Sequence, residues 1–227
     1  MSEVKQSKRI QESILSSWEK KTLVKLAGRQ PVWVTSNMLT FVGIFGSVLI
    51  FAGYFLSSFH PAWLWLASFG FVVNWYGDSL DGSLARVRNP QRPIYGYFLD
   101  HTVDVINEAL MFIGAGLSPY LDMTVAVSSL LLYYALTINV SMNAHLRSEL
   151  KLTYGGFGPT EFRVLMIVIN TLLFCFHSHV VNNPVVTGIT YIIPAALLVV
   201  YIVTVLGDLK YFAGIDPPKK YNPDNGE

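Results

Sequence analysis

Polar and apolar residues alternate along this chain on the scale of a membrane rather than of a helix face. Six predominantly apolar runs occupy roughly residues 33–56, 61–86, 97–118, 123–146, 160–179 and 185–209. A spanning helix needs about 20 such residues. The runs predict an all-α integral membrane protein with six transmembrane helices. A soluble core of this size cannot absorb six such segments. The intervening links are short, so the spans form one transmembrane unit over 32–212.

The segments flanking this unit are polar. Residues 1–31 are basic, with Ile10, Ile14 and Trp18 at i, i+4 and i+8 and with Lys20, Lys21 and Lys25 pointing elsewhere. This pattern predicts an amphipathic helix lying on an anionic leaflet, ended by Gly28 and Pro31. Ser36-Asn37-Met38-Leu39-Thr40 reads as a helix cap, Thr160 as a second N-cap, and Pro194 as a kink inside the last run. The tail 213–227 is proline-bearing and reads as disordered.

Composition agrees with the pattern. Apolar residues make up 52% of the 227 and charged ones 14%, against about 25% in soluble proteins. Net charge is only +1, but all sixteen Lys and Arg fall at 5–29, 86–92, 147–163 and 210–220. With six spans, these segments share one side. The positive-inside rule makes that side, and both termini, cytoplasmic. Cys175 stands alone, which excludes an intrachain disulfide, and it reads as a buried apolar residue. His60, His177 and His179 fall on the outer side and have no expected catalytic role. No nucleic-acid partner is expected; membrane lipids are.

The candidate chemistry lies in GDSLDGSLARVRNPQRPIYGYFLDHTVD, residues 77–104. Asp78 and Asp81 are spaced i, i+3; Asp100 and Asp104 are spaced i, i+4. Either spacing puts both carboxylates on one helix face. A nine-residue link, 87–95, allows the two pairs to face each other across a tight helical hairpin. Four carboxylates at a membrane boundary repel one another and are costly to desolvate. Oxygen ligands suit hard cations such as Mg²⁺ or Mn²⁺, and two such ions would offset the charge. Gly82 and Ala85 leave room for a diphosphate, Arg86 can pair with its oxygens, and Asp104 is placed to act as a base. The same acids are also compatible with a divalent-cation transporter.

Asp78-x2-Asp81-Gly82-x2-Ala85-Arg86-x9-Gly96-x3-Asp100-x3-Asp104 resembles the defining motif of the CDP-alcohol phosphatidyltransferases. The link holds nine residues where the family pattern has eight. The family also carries Pro-Asn-x-Leu/Val-Thr at the first helix, matched here by Asn37 to Thr40 with Ser36 replacing proline. The resemblance implies that Asp78, Asp81, Asp100 and Asp104 hold two metal ions, with Asp104 also the catalytic base. It implies that Gly82, Ala85, Arg86, Gly96, Asn37 and Thr40 accommodate the cytidine diphosphate. An acceptor hydroxyl would displace CMP from a CDP-alcohol donor. CDP-diacylglycerol with a polar alcohol is the favoured pairing. CDP-choline or CDP-ethanolamine with a diacylglycerol is the alternative, because Asp100-His101 is similar to that branch. His101, Glu108, Arg147 and Arg163 are candidates for the acceptor pocket. Homodimers are common in the family, so a second copy of the chain is a candidate partner.

Overall fold

The computed structural model describes residues 8–10, 15–88, 92–147, 149–151 and 158–217. Six long helices stand where the apolar runs predict them. They are preceded by α1, Ser16–Gly28. Helix α2 spans Ser36–Leu56, and a short 3-10 turn at Pro61–Trp63 leads into α3, Leu64–Arg88. Then come α4, Pro93–Gly116, and α5, Met123–Arg147. Helix α6 spans Pro159–Cys175 and is followed by the short α7, His177–Val180. The last run is divided into α8, Pro184–Thr190, and α9, Ile192–Ile215. Beyond the helices, β1, Lys8–Ile10, pairs in parallel with β2, Glu149–Lys151.

Among the described residues, three segments are long and apolar enough to cross a membrane: Ser36–Leu56, Met123–Arg147 and Pro184–Ile215. Helices α3 and α4 are diluted by their acidic pairs, and α6 has only 17 residues. The molecule is therefore helical and membrane-embedded by these three segments, while length and composition alone do not establish six spans.

Several local expectations change. Ile10 lies in β1, and Ile14 lies outside the described residues. The buried face of α1 is Glu19, Leu23 and Ala27, whereas Trp18 is exposed. The helix starts later than the pattern implied, and its inward stripe is offset by one residue. Thr35, not Ser36 or Asn37, caps α2 by accepting the Met38 N–H at 3.3 Å. Gly158 is the N-cap of α6; Thr160 sits inside the helix. The last run breaks at Tyr191 rather than kinking at Pro194. Pro194 has no N–H to give the Thr190 carbonyl, so α8 ends there. Cys175 is exposed rather than buried. Helix α9 runs two residues past the start of the expected tail, whose residues 218–227 lie outside the described ones, as do Gly155, Gly156 and Phe157. Asp122 accepts the Thr124 N–H at 2.7 Å at the start of α5, which holds its carboxyl below the usual range.

Helix packing runs in the order α6–α3–α2–α4–α5–α9, with α1 against α3. The expected tight α3–α4 hairpin does not form. Helix α2 packs against both, and α3 and α4 make at most marginal contact. The closest packing is α2 on α3. A Cβ added at Gly77 would lie 2.2 Å from the Gly43 nitrogen, and one at Gly46 would lie 2.3 Å from the Asn74 nitrogen. No side chain fits there, so the backbones set the distance, as small residues do between membrane helices. Apolar clusters flank this seam: Leu23, Ala27, Val34, Leu39, Leu80 and Leu84 on the α1 side, and Ile50, Tyr54, Leu64, Ala67 and Phe71 on the other.

Helix α6 is held on α3 and α2 by polar residues along one stripe. Asn170, 1% exposed, accepts the Tyr54 hydroxyl at 2.9 Å and donates to Ser68 at 3.2 Å. Arg163 lies seven residues earlier and Thr160 ten, on the same face. In an apolar setting, each buried polar group needs such a partner.

Candidate active site

Helix α3 presents Asn74, Asp78 and Asp81 at spacings of four and three, so all three project from one side. Helix α4 presents Asp100, Asp104 and Glu108 in the same way. Because α2 separates the two backbones, their acids reach across a gap. One carboxylate oxygen each from Asp78, Asp100 and Asp104 lie within 4.8 Å of one another, and all three residues are partly buried. Oxygens on opposite sides of a Mg²⁺ ion are about 4.2 Å apart, and of a Ca²⁺ ion about 5 Å. The trio is thus an all-oxygen set of the right size for a hard divalent cation.

Asp81 is engaged differently. Its Oδ2 accepts the Thr40 hydroxyl at 2.6 Å, and its Oδ1 accepts the Gly82 N–H. Three of the four motif acids therefore converge, and the fourth is held against α2.

Arg163 completes the cluster from α6. Its Nη2 donates to Asp78 Oδ2 at 2.5 Å, and its Nε donates to Asn74 Oδ1 at 2.9 Å. The fully buried Asn74 donates in turn to the Gly43 carbonyl at 3.1 Å and Ser47 Oγ at 3.0 Å. A forked guanidinium satisfied by two acceptors is a rigid positive charge. Glu108 lies one turn deeper than Asp104. It does not pair with Arg163: its Oε2 is buried without a hydrogen-bond partner among the described residues, as is Asn107 Oδ1.

The remaining motif residues lie at the same end of the bundle. Asn37 Nδ2 donates to the Tyr95 hydroxyl at 3.2 Å, joining the first turns of α2 and α4. A Cβ at Gly82 would come 3.4 Å from Arg86 Nη1, and Gly96 faces open space. Ala85 is partly buried on α3. Arg86 Nη2 donates to Ser83 Oγ at 3.0 Å. Arg88 instead binds the carbonyls of Gln30 at 2.9 Å and Pro31 at 2.7 Å, along with that of Val34, and so ties down the link between α1 and α2.

Two candidates for the acceptor pocket have other partners in the structure. Arg147 pairs with Asp208 at 2.6 Å, and its guanidinium lies 3.9 Å from the Tyr211 ring centroid. Its charge fastens α9 to α5. His101 stacks on Tyr97 with centroids 4.0 Å apart and borders a groove between α4 and α5 shared with Ser141 and His145. On α4 it stands one residue around from the face that carries Asp100 and Asp104. Two further histidines have local partners: His60 caps the 3-10 turn, and His177 meets the Tyr120 hydroxyl at 2.8 Å.

Sequence reading missed Asn74 and Glu19. Asn74 was visible as a lone amide within an apolar run, four residues before Asp78. Glu19 was visible as an acid in line with Leu23 and Ala27. Glu19 is 6% exposed, and its Oε1 accepts from Trp75 Nε1 at 3.0 Å, Ser79 Oγ at 3.1 Å and Thr160 Oγ1 at 2.6 Å.

The sequence model of the CDP-alcohol phosphatidyltransferase family matches residues 33–206. A phosphatidylinositol phosphate synthase of Cutibacterium acnes (strain DSM 16379 / KPA171202) is 34% identical over 84 residues. That alignment covers 37% of this chain and 38% of the relative, so the chain is aligned with less than two-fifths of that protein's length. No solved structure matches the chain.

Proposed function

Because the chain belongs to the CDP-alcohol phosphatidyltransferase family, we propose that it transfers a phosphoalcohol group from a CDP-alcohol to an acceptor hydroxyl and releases CMP. Family membership sets aside the cation-transport reading. The observation that carries the proposal is the convergence of Asp78, Asp100 and Asp104 to within 4.8 Å beside the Arg163 guanidinium.

In this reading, the three carboxylates hold a divalent cation, Mg²⁺ or Mn²⁺. A second ion would require Asp81 to exchange the Thr40 hydroxyl for the metal. Bound ions would supply charge neutralisation on the diphosphate. Gly82, Ala85, Gly96, Asn37 and Thr40 line the entrance for the cytidine diphosphate, and Arg86 pairs with its phosphate oxygens. Asp104 takes the proton of the acceptor hydroxyl. The new P–O bond forms at the phosphorus distal to cytidine, and the bond to CMP breaks. Glu108, with its unpartnered oxygen one turn deeper, contacts the acceptor; His101, Arg147 and Arg163 remain candidates for the same pocket.

CDP-diacylglycerol with a polar alcohol is the favoured pairing. The similarity to a protein named phosphatidylinositol phosphate synthase supports a phosphatidyl donor and a phosphorylated alcohol. The alternative is CDP-choline or CDP-ethanolamine with a diacylglycerol. The one-sided distribution of Lys and Arg supports six spans, both termini in the cytoplasm and a cytosolic active site, and the family supports a homodimer. A CMP-release assay on purified protein with a panel of CDP-donors and alcohols tests the proposal. Release that survives thorough chelation of divalent ions would refute the metal assignment, and no release with any donor would refute the activity.

A further inference from the structure

The N-terminal segment, which the family motif does not include, meets the active-site scaffold at the start of α6. Three links converge there. Strand β1 pairs with β2 in the link ahead of α6. The Leu15 N–H donates to Glu161 Oε1 at 2.7 Å. Glu19 Oε1 accepts the Thr160 hydroxyl at 2.6 Å while also accepting from Trp75 and Ser79 of α3. Thr160 and Glu161 are themselves buried, at 6% and 8% exposure. Arg163 follows one turn after Thr160 on the same face and reaches Asp78.

A buried carboxylate is retained only when donors compensate for the water it loses. Here all three donors fall on a single oxygen, Oε1 of Glu19. The donors come from α3 and α6, the helices that carry Asp78 and Arg163. Ser79 directly follows Asp78, and Thr160 lies one turn before Arg163. Fixing these two points sets the axial position of α6 on α3 at the level of the ion pair.

We propose that Glu19 is a positioning residue, which pins the first turn of α6 to α3 from α1 and thereby holds the Arg163 guanidinium on Asp78. The N-terminal helix is then part of the catalytic scaffold and more than a membrane-surface anchor. The inference rests on the phosphotransferase reading only where Arg163 affects turnover.

The test uses full-length protein in lipid nanodiscs and reads two quantities. Hydrogen–deuterium exchange across residues 160–166 is expected to accelerate in Glu19→Ala. Turnover in Glu19→Ala is expected to fall about tenfold with little change in donor KM, as for a misplaced catalytic group. The double variant should be no slower than Arg163→Ala within about twofold, because both substitutions remove one effect. Glu19→Gln keeps two acceptor positions and should recover most of the turnover. Thr160→Val, which removes the α6 donor to Glu19, carries the test if Glu19→Ala does not fold, with the same acceleration expected. Unchanged exchange in Glu19→Ala, or in Thr160→Val where Glu19→Ala does not fold, or turnover losses that multiply in the double variant, would overturn the proposal. The exchange measurement needs no turnover, so a protein that releases no CMP still decides the positional link.

Discussion

Helices α2 and α9 are both apolar and both long, yet they are held in opposite ways. Between α2 and α3 the backbones touch through Gly43, Gly46 and Gly77, and polar side chains cross the contact at Asn74 and Thr40. Helix α9 buries none of its residues, and nothing lies within 4 Å of a Cβ placed on Gly207. Its firm attachment is Arg147 and Asn143 on Asp208. Hydropathy does not distinguish the two, because lipid satisfies an apolar surface as well as a neighbouring helix does. The difference is where precision is required. Asp78 and Asp81 project from α3, so the distance between α2 and α3 sets the site, whereas α9 carries none of the converging acids.

The largest effect is expected from Gly77→Leu. The side chain would have to occupy space held by the Gly43 nitrogen and the Leu39 carbonyl, so no monodisperse folded protein should survive size-exclusion chromatography. Gly207→Leu on α9 should elute as wild type; equal damage from both would erase the contrast. Next comes Asp100→Asn, which leaves the fold intact and removes one charge from the converging trio. CMP release should fall by at least about 1,000-fold with an unchanged thermal midpoint. A variant retaining a tenth of its turnover would take Asp100 out of the site. Arg163→Lys keeps the charge but cannot satisfy Asn74 and Asp78 together. Turnover should drop about tenfold, and a variant as fast as wild type would show that the fork is dispensable. The smallest effect on chemistry is expected from Asp208→Ala. Loss of the Arg147 partner should cost about 1–3 kcal/mol of stability while turnover stays within about threefold. A large loss of activity there would mean that α9 shapes the site after all.

Much of this arrangement was legible from residue order. The two acidic pairs needed only helical spacing, and the helix positions needed only runs of apolar residues. Helix α1 was misregistered because Ile10, Ile14 and Trp18 formed a plausible stripe, while the stripe that packs contains an acid, Glu19. An acid on an apolar stripe reads as solvent-facing unless its donors are known, and these come from residues 56, 60 and 141 positions away. Arg163 was named without Asp78 as its partner for the same reason.

The chain by itself determined the helical, membrane-embedded class and the candidate acids of the site, because both follow from spacing within single segments. Only the tertiary structure decided that α2 lies between the two acid-bearing helices, that Asp81 turns to Thr40 while the other three acids converge, and that Arg163 reaches Asp78. Those outcomes depend on how closely backbones approach and on which donors lie across a gap. No local periodicity encodes either.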